Sequence, residues 1–464
     1  MIGVATAQNT INTVPAIQLG ISKFRFIETS HAKIKGWMGF ASKALAKKGV
    51  KVLTPISLDE SIESDFLKIE QMLLSEPDLN VPILWNIGGG QKNHMLGLWE
   101  VFKKRKNPLD QVCYSNIQSR SIEFWYWEKD QINHHRIPLD YDDELANYLA
   151  VYGFEIKENG EGTLLYTNDK VQNRHEVFDW LKYPEFRTFQ SKSFKKLETG
   201  SKETFSLDEI KKSLADKSVI EQLGKAVIAK NPILNTTEKI NIRPNFISEN
   251  LINFILSFIR KQILVSERIA PQDFTFSDPE LVSKLTEIGV DATLKMNSLS
   301  LEKIYGMTSG LFFEQILIAQ IQKILEGGNH LVKKAYANVK IKSKDNEAEF
   351  DILLLTSLGT LHVLDAKMDV FDKKDENSRK LVLSQAGGAF SSFRPVFSFY
   401  PNDMDEEIIS PALLQKFRDY SLENADFMVF NSMDFENLKL IINDQPVLFK
   451  HFNSLLSHLN LLKN

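Results

Sequence analysis

Short apolar runs alternate with helical patterns over the first 118 residues, and this alternation constrains the fold more than any other feature of the sequence. Strands are predicted at 2–6, 24–29, 50–56, 81–87 and 111–114, with helices up to 21 and at 33–48, 59–74 and 91–104. Strands and helices at this spacing form βαβ units, so a mainly parallel sheet covered by helices is expected. Residues 121–127 and 133–138 predict a hairpin added to that sheet.

The length of 464 residues suggests about three domains at roughly 150 residues each. We expect a Rossmann-like α/β domain over 1–155, a mostly helical region over 156–298 and a second α/β domain over 299–464. The polar segment 190–205 has the composition of a linker. A capping box at 206–209 then predicts the start of a helix.

The charge of the whole chain is nearly balanced, with 56 Lys+Arg against 60 Asp+Glu and a formal net of −4. This excludes a histone-like protein whose entire surface is basic. Residues 186–270 carry 15 Lys+Arg and 9 Asp+Glu, a local net of +6. Two short helices within 207–229 predict either a winged-helix or helix-turn-helix unit that holds nucleic acid, or a helical spacer with a solvated basic face.

A single cysteine, Cys113, excludes an internal disulfide framework and a zinc site with two or more thiolates. The first 22 residues carry no early positive charge and are not typical of a signal peptide. The most apolar window, 246–265, contains charged residues and is not expected to cross a bilayer. We therefore expect a cytoplasmic protein without a membrane segment.

Two apolar runs in the carboxyl half carry regularly placed charges. The runs 347–355 and 361–367 are separated by a turn-like composition, so an antiparallel hairpin is expected. If its loop is 357–359, Asp351 lies opposite Asp365 and Glu349 lies opposite Lys367. A slip of one residue would place Asp351 and Asp365 on different faces.

Two opposed carboxylates destabilise a sheet unless a positive charge lies between them, and Mg²⁺ or Mn²⁺ prefers carboxylate oxygen. A metal held by Asp351, Asp365 and Glu314, which lies on the preceding helix, would polarise a phosphate. Lys367 would orient or deprotonate the attacking water, so the pattern favours metal-assisted phosphodiester hydrolysis. The alternative is an amphipathic hairpin whose charges face solvent.

Glu314, Asp351, Asp365 and Lys367 in helix–strand–strand order resemble the PD-(D/E)xK restriction-endonuclease-like superfamily. The resemblance implies that these four residues form a metal-dependent nuclease centre, with the first three binding the metal. The proline of the superfamily name is absent, because Phe350 precedes Asp351. Glu347 or Glu349 could also take part in metal binding.

The segment 86–92 (Asn-Ile-Gly-Gly-Gly-Gln-Lys) joins the fourth predicted strand to a helix. Three glycines there let backbone amides approach an anion at the helix amino terminus, and Lys92 adds positive charge. The sequence matches neither a dinucleotide fingerprint nor a Walker A loop, and a turn without a ligand stays an alternative. The candidate ligand residues, all near carboxyl ends of parallel strands, are Thr6, Gln8, Asn12, Thr29, Asn86, Gly88, Gly89, Gly90, Gln91 and Lys92.

This loop, together with Gln8 and Asn12 after the first strand, resembles the CARF domains of CRISPR-associated ancillary effectors. The segment 142–154 and the motifs at 310–314, 346–351 and 365–367 are similar to those of CARF–nuclease fusions. The resemblance covers 1–155 and 300–400, not the helical region between. It implies a homodimer that binds a cyclic oligoadenylate, most commonly cyclic tetra-adenylate, across its two-fold axis.

The sequence thus predicts a cyclic-oligoadenylate-activated, metal-dependent nuclease of type III CRISPR antiviral defence that cuts DNA, RNA or both. One alternative is a ligand-responsive DNA-binding regulator whose carboxyl domain is inert. Another is a stand-alone nuclease that needs no messenger, and activity without added ligand would distinguish it.

Overall fold

The fold is described from a computed structural model that covers residues 1–175, 183, 185, 276–287, 310–343, 346–367, 393–399, 430–431, 439–442, 445–448, 450–451, 455–458 and 461–463. The predicted linker, the predicted helices within 207–229 and the basic segment 186–270 lie outside these residues. The chain divides into two compact units. One unit holds 1–177, 314–401 and 406–464, and the other holds 178–313 and 402–405.

The first sheet has seven strands in the order β3-β2-β1-β4-β5-β6-β7. The first five are parallel and the last two are antiparallel, which confirms the Rossmann-like α/β class and the appended hairpin. Cys113 is buried in β5, as expected. The strands are β1 (Ile2–Val4), β2 (Lys23–Glu28), β3 (Lys51–Ser57), β4 (Leu84–Asn86), β5 (Gln111–Asn116), β6 (Ser121–Glu128) and β7 (Gln131–Pro138).

Helices connect these strands where the apolar periodicity predicts them. The predicted helix over 33–48 is instead two helices that meet at Gly36, whose φ of 68° is left-handed and ends the first. The helices are α1 (Thr10–Gln18), α2 (Ser30–Lys35), α3 (Trp37–Lys47), α4 (Glu60–Glu63), α5 (Phe66–Ser75), α6 (Lys92–Arg105) and α7 (Leu145–Ala150), with a 3-10 turn at Pro77–Leu79.

The second sheet has nine strands in the part of the chain that the structure describes. Eight follow the order β10-β9-β11-β12-β13-β14-β15-β18, and β8 pairs with β11; a separate β16–β17 hairpin lies outside this sheet. The strands are β8 (Glu155–Ile156), β9 (Thr163–Thr167), β10 (Lys170–Val171), β11 (Val332–Ser343), β12 (Asn346–Thr356), β13 (Leu361–Lys367), β14 (Phe393–Phe399), β15 (Phe430–Asn431), β16 (Lys439–Ile442), β17 (Gln445–Leu448) and β18 (Lys450–His451). The helices are α8 (Pro279–Glu287), α9 (Gly310–Glu326) and α10 (Leu455–His458).

Strands β9 and β10 lie in the range for which the sequence predicts mostly helix. They extend the second sheet because β9 pairs with β11 over 334–337. The second sheet therefore begins at residue 155. The predicted domain division into 1–155, 156–298 and 299–464 uses local sequence patterns alone, which do not reveal this pairing. That division stays a prediction for the residues from 176 onward that the structure does not describe.

One hydrophobic core joins the two sheets. It includes Val14 of α1 and Tyr148 of α7 on one side, and Phe350, Leu358 and Val363 of the second sheet on the other. Hydrogen bonds cross the same boundary, from the Tyr141 amide to the Ser357 carbonyl (2.8 Å). Because the shared core is apolar and well buried, the two sheets are expected to move together rather than as independent domains.

Candidate functional site

The strand order reverses between β1 and β4, which are parallel neighbours in the middle of the first sheet. Their carboxyl ends therefore open a crevice at a topological switch point, the usual place for a ligand in an open α/β sheet. The loop after β1 (residues 5–9) and the loop after β4 (87–91) border this crevice. Both loops were singled out from the sequence.

Two asparagines tie these loops together. The Nδ2 of Asn86 donates to Oδ1 of Asn12 (2.8 Å) and to the Ile11 carbonyl (2.9 Å), while Nδ2 of Asn12 donates to the Val4 carbonyl (2.8 Å). Both side chains are 0% exposed. They hold the two loops together, and the direct contact with a ligand that the sequence predicts for them stays a prediction.

The three glycines of the loop are required by close packing. A Cβ at Gly88 would lie 2.6 Å from Cγ1 of Ile11, and one at Gly89 would lie 2.8 Å from the Val4 carbonyl oxygen. Gly90 has a φ of 86°, which L-residues rarely adopt. The loop is thus a tightly packed turn rather than a flexible one.

Some backbone amides of the loop have a hydrogen-bond acceptor within the described residues, and others do not. Gly88 donates to Oδ1 of Asn86 (3.0 Å) and Gln91 donates to Nδ1 of His94 (3.0 Å). The amides of Gly89 and Gly90 make no hydrogen bond within the described part of the chain. Two adjacent donors just before α6 therefore have no acceptor within the described residues, which is what an anion site requires.

The remaining candidate ligand residues lie around this edge in different settings. Lys92, the first residue of α6, is exposed, whereas the Gln91 side chain caps that helix by accepting from the His94 amide. Thr29 is buried and its hydroxyl caps α2 by accepting from the Ala32 amide (3.1 Å). Thr6 and Gln8 are partly exposed in the loop after β1.

His94, in the first turn of α6, is a residue that the sequence did not single out. Its Nδ1 accepts the Gln91 amide, so the neutral ring carries its proton on Nε2. Burial lowers the pKa of His94 below the ordinary 6.5, although the nearby Glu63 carboxylate raises it in part. Protonation of Nδ1 would replace the acceptor with a donor and break the contact that shapes the glycine loop.

Acidification is therefore expected to destabilise the protein partly through His94. A histidine with a lowered folded pKa adds stability that is complete above pH 6.5 and is lost as the pH falls through the folded pKa. His94→Gln keeps an acceptor without titrating, so its unfolding free energy should fall less than that of wild type between pH 7.5 and 5.0 in urea titrations. Burial also lowers the pKa of His330. Because His330 is present in both proteins, its contribution to the pH dependence cancels in the comparison. Equal losses would contradict the role of His94.

The second candidate site is the hairpin of β12 and β13, and its register is the one predicted. Ile352 pairs with Leu364 and Leu355 with Leu361, and the Thr356 amide donates to the Thr360 carbonyl (3.0 Å). The loop is thus 357–359, and continuation of this register places Asp351 opposite Asp365. The regular ladder ends one pair before them.

Asp351 itself explains why the ladder ends there. Its carboxylate Oδ2 accepts the Ala366 amide at 2.6 Å, taking the place of a backbone carbonyl, and the side chain is 8% exposed. A carboxylate has two oxygens and about four acceptor positions, so it can accept more than one hydrogen bond or bind a cation. This oxygen chemistry fits Mg²⁺ or Mn²⁺.

The other predicted nuclease residues are only partly described. Glu314 is half-buried on α9. The backbones of Asp365 and Lys367 lie on β13, and their side chains lie outside the described part of the structure. Among the described side chains, no group of three or more His, Cys, Asp or Glu is placed to hold a metal ion. The four-residue centre therefore stays a prediction.

No helix within the described residues is both long and apolar enough to cross a membrane.

The sequence matches no protein-family model and no curated protein. Three solved structures resemble the fold. Can2 from Sulfobacillus thermosulfidooxidans in complex with cyclic tetra-adenylate has a TM-score of 0.47 and 13% identity, over 89% of this chain and 92% of that one. Protein VC1899 from Vibrio cholerae has a TM-score of 0.45 and 12% identity, over 92% and 93%.

The third is a type III CRISPR defence DNA nuclease activated by cyclic oligoadenylate, with a TM-score of 0.44 and 11% identity. The alignment covers 99% of this chain and 51% of that one. Because every TM-score is below 0.5, we infer neither family nor function from these similarities.

Proposed function

We propose that this protein is a cyclic-oligoadenylate-activated, divalent-metal-dependent nuclease that hydrolyses phosphodiester bonds in DNA, RNA or both. Its setting would be the cytoplasm, as an ancillary effector of type III CRISPR antiviral defence. The observation that carries the sensor half is the pair of Gly89 and Gly90 amides, which have no acceptor within the described residues and lie beside exposed Lys92 at the switch point.

The chemistry of the loop suits a phosphate. Two amides at a helix amino terminus supply oriented donors, and the helix dipole favours negative charge there. Lys92 adds a mobile cation that needs no bidentate geometry. The buried hydrogen bond between Asn86 and Asn12 already orders the loop. Ligand binding therefore costs less conformational entropy, which raises the affinity.

A ring with repeated phosphates fits a homodimer. Two copies of the loop related by a two-fold axis present two equivalent phosphate sites, and a symmetric ligand engages both at once. If the ligand binds one dimer arrangement more tightly than the other, it would shift the population toward that arrangement. We propose that the favoured arrangement is the one in which the nuclease halves are active. Cyclic tetra-adenylate is the ligand we propose first.

The nuclease half would use Asp351, Asp365 and Glu314 to hold Mg²⁺ or Mn²⁺. When bound, the metal would polarise the scissile phosphate and activate a water. The Ala366 amide fixes the Asp351 carboxylate before any metal arrives, so little reorganisation is needed on binding. Lys367 would orient the attacking water or take its proton.

Removal of the Lys92 charge tests the sensor half. Lys92→Ala is expected to weaken binding of cyclic tetra-adenylate by about 10- to 100-fold, the loss of one charged hydrogen bond or two. Isothermal titration measures the Kd, and the exposed Lys170→Ala on β10 is the charge-matched control. Equal affinity of Lys92→Ala and wild type, or absence of binding by wild type, would contradict the proposed ligand site.

A further inference from the structure

We propose that Thr10, Tyr152 and Tyr148 form a chain of contacts that links the loop after β1 (residues 5–9), at the edge of the ligand crevice, to the turn of the β12–β13 hairpin. These three are positioning residues: none is proposed to touch ligand, metal or substrate. The inference deepens the proposed function and rests on it for the identity of the two sites. Its structural content, a link between loop and turn, can be tested without any ligand.

The chain of contacts begins where the loop after β1 (residues 5–9) meets α1. Thr10 is the first residue of α1, between Asn9 and the segment that carries Asn12. Its hydroxyl shares a buried hydrogen bond of 2.8 Å with the hydroxyl of Tyr152, 142 residues away in sequence. Asn9 fixes the same loop by accepting the Thr6 amide (3.1 Å). A displacement of the loop therefore changes the Thr10–Tyr152 contact directly.

The middle of this chain of contacts is a pair of tyrosines, one on α7 and one just after it. The rings of Tyr152 and Tyr148 lie 5.8 Å apart between centroids, within the range of aromatic contact. The Tyr148 hydroxyl donates to the Gly359 carbonyl at 3.2 Å. This is long for an O–H···O bond, so a small shift of Tyr148 toward or away from the turn changes its strength.

The chain of contacts ends at a turn that is closed by several internal hydrogen bonds. The Thr356 hydroxyl lies 2.6 Å from that of Thr360 and accepts the Thr360 amide at 3.2 Å. Gly359 has a φ of 68°, and a Cβ there would lie 2.5 Å from Cγ2 of Val14 on α1. Helix α1 thus touches the turn directly, while α7 holds it from its carbonyl side.

The turn connects to the candidate metal site through one continuous hairpin. Asp351 lies five residues before Thr356 on β12, roughly 17 Å at about 3.4 Å per residue. Paired strands are stiff, so a tilt at the turn displaces the far end where Asp351 meets Ala366. Two sites on different sheets are therefore joined by a continuous series of contacts.

Hydrogen exchange on the full chain tests the link without ligand. Thr10→Val removes the hydroxyl with little change of shape, and should speed exchange of the Leu358, Gly359 and Thr360 amides by roughly 3- to 10-fold, about the worth of one net hydrogen bond. Thr13→Val is the matched control, since the Thr13 hydroxyl is buried on the same helix without a partner within the described residues. Amides of β4 report any global loss of stability.

Faster exchange at the turn in Thr10→Val alone supports the link. Unchanged exchange at the turn, or equal acceleration in Thr13→Val or throughout β4, overturns it. Thr10→Val removes the hydroxyl that hydrogen-bonds to Tyr152, so faster exchange at the turn would show that loss of this contact is felt there.

A second variant measures the functional consequence. Tyr148→Phe removes only the hydroxyl that reaches Gly359, and is expected to lower stimulation of cleavage by cyclic tetra-adenylate about 5-fold while the Kd changes less than about 2-fold. Tyr126→Phe, on the appended hairpin, is the control. Full stimulation of Tyr148→Phe, or an equal loss in Tyr126→Phe, would overturn the role of Tyr148. If wild type is not stimulated at all, the proposed function fails, whereas the exchange result decides the link by itself.

Discussion

Asp351→Asn is expected to reduce metal-dependent cleavage by roughly 100-fold or more, because it removes one charge from a site that must neutralise a divalent cation. The substitution keeps an oxygen that accepts the Ala366 amide, so the hairpin retains its geometry. The loss would therefore report chemistry rather than folding. Cleavage of a labelled duplex and a labelled RNA with Mn²⁺, both with cyclic tetra-adenylate present, measures it.

The control for Asp351→Asn is Asp130→Asn in the β6–β7 turn. Asp130 is exposed and has a φ of 64°, which asparagine tolerates well. It loses the same charge far from the hairpin, so activity should match wild type. Lys367→Ala should abolish cleavage as Asp351→Asn does, since both belong to the same proposed centre. Wild-type rates in Asp351→Asn with normal thermal stability would remove the metal site from the account.

Asp143→Ala is expected to lower the free energy of unfolding by about 3–5 kcal/mol, the usual cost of leaving a buried charge network without one partner. The Asp143 carboxylate is buried and accepts from the Tyr141 hydroxyl (2.7 Å) and the Asn147 amide (2.6 Å). It also lies 2.5 Å from Nζ of Lys48. Burial and the Asp143 charge raise the pKa of Tyr141, which stays a donor at any ordinary pH.

This cluster also joins the two sheets. Nζ of Lys334 on β11 donates to the Asp143 carbonyl (3.0 Å) and to the Glu144 carboxylate (2.9 Å). Loss of the Asp143 side chain would remove the shared partner of Tyr141, Asn147, Lys48 and the Glu144 amide, and would loosen α7 from the second sheet. Urea unfolding followed by circular dichroism measures the change.

Asp142→Ala is the matched control for Asp143→Ala. Its side chain is 56% exposed and lies 3.3 Å from Nζ of Lys334, so its removal should cost less than about 1 kcal/mol. Similar losses in both variants would show that burial of Asp143 has no special weight. A loss below about 1 kcal/mol in Asp143→Ala would contradict the network directly.

Local patterns were sufficient for the strands of the first sheet, for most of its helices and for the β12–β13 hairpin. The alternation over 1–118 and the turn composition at 357–359 decide the parallel sheet and the β12–β13 register, because both depend on neighbours in sequence. The sequence does not predict the helix break at Gly36, because the apolar periodicity of residues 33–48 continues through this glycine. Only the left-handed φ shows that the helix ends there.

Contacts between distant residues were not predictable in the same way. Asn86 and Asn12 are 74 residues apart, and their burial depends on side chains that meet only after β1 and β4 pair. The same holds for Thr10 with Tyr152 and for β9 with β11. The sequence therefore predicts only a ligand role for the polar residues near this edge, and the structure shows in addition that several of them form hydrogen bonds that hold the loops.

The measurement that tests the central claim most directly is cleavage of DNA and RNA by the full chain with Mn²⁺, with and without cyclic tetra-adenylate. We expect little cleavage without the ligand, strong stimulation with it, and none by Lys367→Ala in either condition. Equal cleavage with and without the ligand would contradict activation. Undiminished cleavage by Lys367→Ala would contradict the assigned centre, and absence of cleavage in every condition would favour a regulator that binds nucleic acid without cutting it.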